Sequence, residues 1–82
     1  MKHKLYNIKG KRCAKLGELE TAISFYEKAI SIKSDYVDAH YNLGSANHKL
    51  GRLDSAVTSY KKVVAISPDY ALTHNNKILS VI

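Results

Sequence analysis

The sequence predicts an all-α fold, a right-handed α-solenoid of antiparallel helix hairpins with two full repeats and one extra C-terminal helix. Three observations carry this. The chain repeats itself at a spacing of 34 residues, Lys15-Leu16-Gly17 returning as Lys49-Leu50-Gly51, with ten identities in 22 positions between residues 15–36 and 49–70. Apolar residues recur at helical spacing, and no strand pattern is present. Glycines fall where helices must stop. Self-similarity at a fixed period means one supersecondary unit stacked on copies of itself.

The first helix is expected over about 4–16, closed by Gly17 in the left-handed conformation with Lys15 suited to the negative end of the helix dipole. The second, about 19–32, follows from Leu19, Ala22, Ile23, Tyr26, Ala29 and Ile30, which lie on one face. The third, about 37–50, carries His40, Leu43, Gly44, Asn47 and Leu50 and ends at Gly51. The fourth, about 53–66, copies the second through Leu53, Ala56, Val57, Tyr60, Val63 and Val64. Pro68, which lacks a backbone N–H, ends it, and a fifth helix is expected over 71–82. Gly44 facing Ala56, and Gly10 facing Ala22, would let each hairpin pack closely. The chain thus reads as one domain over 1–82: repeat one at about 3–36, repeat two at about 37–70, and a partial third repeat or capping helix at 71–82.

Composition excludes several classes. One cysteine, Cys13, allows no internal disulfide, and no apolar run approaches the length of a membrane span, so a cytoplasmic protein without membrane contact is expected. The net charge of +6 resides in residues 1–17, which carry six cations and no acid. Two readings of that segment stand side by side, a solvated face and a surface for an acidic partner. Asp38, Ser45 and His48 share a helix face, but an open helical wall supplies neither an oxyanion hole nor exclusion of water, so no catalysis is expected. The histidines lack metal-ligand spacing, His40 and His74 occupying equivalent packing places, and no cofactor or metal is expected.

The residues His40, Leu43-Gly44, Asn47, Ala56, Tyr60 and Pro68, with Tyr6, Gly10, Cys13, Ala22, Tyr26 and Ala29 upstream, resemble the tetratricopeptide repeat. The stretch from His40 to Tyr70 is similar to the arrays attached to O-linked N-acetylglucosamine transferases. The likeness implies a non-catalytic, peptide-binding scaffold, part of a longer array, with the first helix of each unit on the concave wall. On that wall it places Lys4, Asn7, Lys11 and Lys15, then Asp38, Tyr41, Asn42, Ser45, His48 and Lys49, then Leu72, Asn75, Asn76 and Leu79. Asn42 and Asn76 form a row that could match peptide groups bidentately; Asn7 joins it if one residue is inserted before Gly10. The other reading is that these asparagines cap or solvate helices. One subfamily grips twin-carboxylate tails at places held here by Asn7, Lys11, Asn42, Leu72 and Asn76; only Asn42 matches, which excludes that clamp.

The expected partner is a protein or peptide, acidic where it meets the first helix. Contact between that helix and nucleic acid is the alternative, weakened because the basic segment holds Tyr6 as its one aromatic. Leu72, Ile78, Leu79, Val81 and Ile82 cannot all face inward on one helix, so a homodimer through the C-terminal helix is expected.

Overall fold

The computed structural model describes residues 2–74 and residue 78. Among the described residues five helices follow in order: α1 (Lys2–Lys15), α2 (Leu19–Ile32), α3 (Val37–Lys49), α4 (Leu53–Ile66) and α5 (Pro68–Thr73). Helix α2 packs against both α1 and α3, α4 against α3 and α5, and α1 meets α3 alongside. This is an all-helical stack of hairpins.

Each hairpin turn is closed the same way. Gly17 and Gly51 adopt φ of 82° and 79°. Glu18 N–H donates to Cys13 C=O at 2.9 Å and Gly17 N–H to Ala14 C=O at 3.1 Å. Arg52 to Asn47 and Gly51 to His48 repeat the pair at 2.9 and 3.0 Å. Carbonyls that the helix end would leave unpaired are thereby satisfied.

The close approach within each hairpin differs from expectation. A Cβ on Gly44 would lie 2.6 Å from Cε1 of Tyr60, and one on Gly10 would lie 2.5 Å from Cε1 of Tyr26. The missing side chain therefore makes room for the tyrosine ring of the following helix, not for the alanine. The α4 stripe is also narrower than its spacing suggests. Ala56, Tyr60 and Val63 are fully buried, whereas Leu53 and Val64 are exposed. A second cluster joins Tyr41, Tyr60, Val63 and Ile78, with Val37, Tyr70 and Ala71 against it. Burying a side chain such as Val63 contributes about 1.5–3 kcal/mol.

Pro68 does more than end α4: it opens α5 at once. Ser67 Oγ accepts the Tyr70 N–H at 3.3 Å, and proline, with its fixed φ and no donor to lose, suits the first helical position. The expected start at residue 71 is corrected to Pro68. Of the apolar residues assigned to a dimer surface, Ile78 is 4% exposed and belongs to the core. Leu79, Val81 and Ile82 lie outside the described residues.

Candidate functional site

A cleft of about 260 Å³ opens between α1 and α3. Lys11 and Lys15, one turn apart on α1, form one wall; Asn42, Ser45 and Lys49 at helical spacing on α3 form the other. Leu19, Tyr26 and Ala46 line it between them. All three lysines are exposed, and no carboxylate lines the cleft. Burial, and secondarily Cys13, pushes the Tyr26 phenol up to about 12, so it is a neutral hydroxyl at physiological pH. Tyr26 is the residue sequence reasoning missed here. Its helical stripe marks it as core, which its 2% exposure bears out, and nothing in the spacing reveals that it also borders the cleft.

The asparagines meet differently from the expected row. Asn42 Nδ2 donates to Asn7 Oδ1 at 2.9 Å, and Asn7 is 6% exposed. Helix α1 runs unbroken from Lys2 to Lys15, and Gly10 and Gly44 receive equivalent tyrosines. The 34-residue register therefore holds through α1 without an inserted residue, so Asn7 corresponds to Tyr41 and Ile8 to Asn42. Ile8 is 48% exposed. Asn7 serves as a buried acceptor for Asn42. Asn42 keeps one amide N–H and its carbonyl oxygen for another partner. Asn75 and Asn76 lie outside the described residues.

The remaining wall residues divide. Lys4 is exposed; Asp38 and His48 are half-buried. Burial first, and then the neighbouring Asp38 carboxylate, holds the Tyr70 phenol above its ordinary pKa. Tyr41 faces the interior, its ring 5.8 Å from Tyr60, 5.7 Å from Tyr70 and 4.5 Å from His74. It is 9% exposed, which leaves only an edge for any ligand. His40 packs as expected, its Nε2 2.9 Å from the Ser34 carbonyl oxygen. Among the described residues no group of three potential metal ligands occurs.

At the outer end of the first hairpin, Tyr6 stacks with Phe25 at 6.2 Å, and Lys28 lies over both rings. Lys9 lies 6.0 Å from the Phe25 ring centre. Phe25 comes from α2, so the fold sets a second aromatic beside the basic helix where the sequence segment holds Tyr6 alone.

Two hairpins, each closed by a tyrosine-on-glycine contact, with a cleft between their first helices, define a helical-repeat scaffold. Residues 10–51 match the family model described as TPR repeat, and residues 37–70 match the one described as tetratricopeptide repeat. The first match covers half of the chain, and the protein belongs to the tetratricopeptide repeat family. No curated protein matches the sequence. Among the described residues no helix is long and apolar enough to cross a membrane.

Proposed function

We propose that this chain is a non-catalytic protein-binding scaffold whose α1–α3 cleft holds an extended, acidic peptide segment. Tetratricopeptide repeats in general mediate protein interactions. The observation that carries the finer reading is the convergence of Lys11, Lys15 and Lys49 on one cleft without a carboxylate. Such a surface steers and retains negative charge. Asn42, with an N–H and a carbonyl oxygen unspent, is equipped to pair with a peptide group regardless of sequence.

A peptide array probed at low and high salt tests the reading. Acidic peptides should be retained over basic ones at low salt, and the preference should shrink as salt screens the exposed lysines. Equal retention of both kinds removes the electrostatic claim.

A second reading, contact of the first helix with nucleic acid, gains one observation, the Tyr6–Phe25 pair flanked by Lys9 and Lys28. The rings face each other, which leaves less ring face for bases. No retention of a mixed oligonucleotide at low salt ends this reading.

A further inference from the structure

We infer that the α1–α3 cleft is a phosphoryl site, recognising a phosphoserine carried by the bound peptide. This inference rests on the peptide-binding reading above and adds the chemical identity of the anion. Three observations support it. Lys11, Lys15 and Lys49 share one cleft of about 260 Å³. Among the described residues the ion pairs engage Lys33 with Asp35 and Arg52 with Glu20, so none of the three cleft lysines has a carboxylate partner. The lining adds Ser45 with its hydroxyl and Asn42, whose second amide N–H has no partner among the described residues.

Charge counting then chooses between anions. Three lysines lining one cleft favour an anion of more than one charge, whereas a single carboxylate would neutralise only one of them. A phosphoserine brings roughly −1.5 to −2 of charge and three strong acceptor oxygens. Each oxygen can take an ammonium proton, and the hydroxyl and amide donors can fill the remaining lone pairs. Lysines without fork geometry suit this ligand, because an ammonium acts on phosphate as a point charge.

The test uses the full chain and short fluorescein-labelled peptides that differ only at a central serine, glutamate or phosphoserine. Binding is read by fluorescence anisotropy at low ionic strength. The phosphoserine peptide should bind about tenfold more tightly than the glutamate peptide, as one additional charge-assisted hydrogen bond would give. The variant Lys11→Gln/Lys15→Gln/Lys49→Gln should lose that advantage, and the single Lys49→Gln should lose part of it. The variant Lys2→Gln/Lys61→Gln/Lys62→Gln removes the same charge away from the cleft and should keep it. Circular dichroism checks that each variant remains helical. Glutamate binding as tightly as phosphoserine overturns the phosphoryl assignment and leaves the acidic-peptide reading standing. An advantage that survives loss of the cleft lysines, or vanishes equally in the control variant, also overturns it. Binding of none of the peptides overturns both.

Discussion

The Asn42 side chain donates to Asn7 Oδ1 at 2.9 Å across the boundary between two repeats, joining α1 directly to α3. The acceptor is almost fully buried. A contact between the first helices of neighbouring units sets their relative placement, and the width of the cleft below it depends on that placement.

Replacing Asn42 with alanine therefore strands a buried acceptor. Asn42→Ala should destabilise the fold by about 1–2 kcal/mol, whereas Asn7→Leu/Asn42→Leu should recover part of the loss because neither polar group remains. A double-mutant cycle in urea measures the coupling, and strictly additive effects would show that the bond contributes nothing.

Gly44→Ala should also destabilise. Alanine gains about 1 kcal/mol of helix propensity over glycine. Its Cβ would meet the Tyr60 ring at 2.6 Å, however, and that ring is fully buried with no free direction to move. Overpacking of this kind costs typically about 1–3 kcal/mol, so a modest net loss is expected. Gly44→Ala in a Tyr60→Leu background should be far better tolerated, which thermal denaturation of the two chains will show.

Tyr60 offers a gain. Its hydroxyl is buried and has no hydrogen-bond partner among the described residues. Tyr60→Phe removes an unsatisfied polar group at constant shape and should stabilise the protein by about 1 kcal/mol. An unchanged or lower denaturation midpoint would contradict this.

The pH dependence should carry a signature of His3. Burial first, then Lys33 and Lys4, lowers its pKa from 6.5. The unfolded chain then binds the proton more readily than the native one, so stability rises with pH in that window. His3 favours the fold above its unfolded pKa, and that contribution is lost as the pH falls through the unfolded and then the lowered value. His3→Phe keeps a ring against Tyr36, which lies 4.9 Å away edge-on, and should flatten the acid side of the stability profile. Chemical denaturation between about pH 7 and 5 provides the comparison.

At high pH the sign reverses. Burial raises the Tyr26 phenol to about 12 from 10.0, so the unfolded chain loses its proton first. The stabilisation is complete below 10.0 and disappears as the pH climbs through about 12. Tyr26→Phe should shift alkaline unfolding, followed by circular dichroism, to higher pH.

The helices and their stacking were legible in residues 15–70 because period, apolar spacing and helix-stop glycines all depend on local chain geometry. Gly17 and Gly51 show this plainly: a positive φ is a property of one residue, readable from its type. Pro68 was half legible, since the same ring that forbids continuing one helix suits the start of another, and only the Ser67 cap decides which happens at once. The site was less accessible still. The family resemblance places Lys11, Lys15 and Lys49 on the concave surface, but their convergence on a cleft depends on how α1 lies against α3. Asn7 is the equivalent of Asn42 only with a residue inserted before Gly10, and the unbroken α1 instead sets it level with Tyr41 in register, as a buried acceptor. Tyr41, assigned to the ligand wall, turns into the core for the same reason, while Tyr26 stays in the core as its helical stripe predicts and also borders the cleft. Helical periodicity specifies which side of its own helix a residue occupies; the neighbour that side meets is chosen by packing between helices, which contacts remote in sequence alone decide.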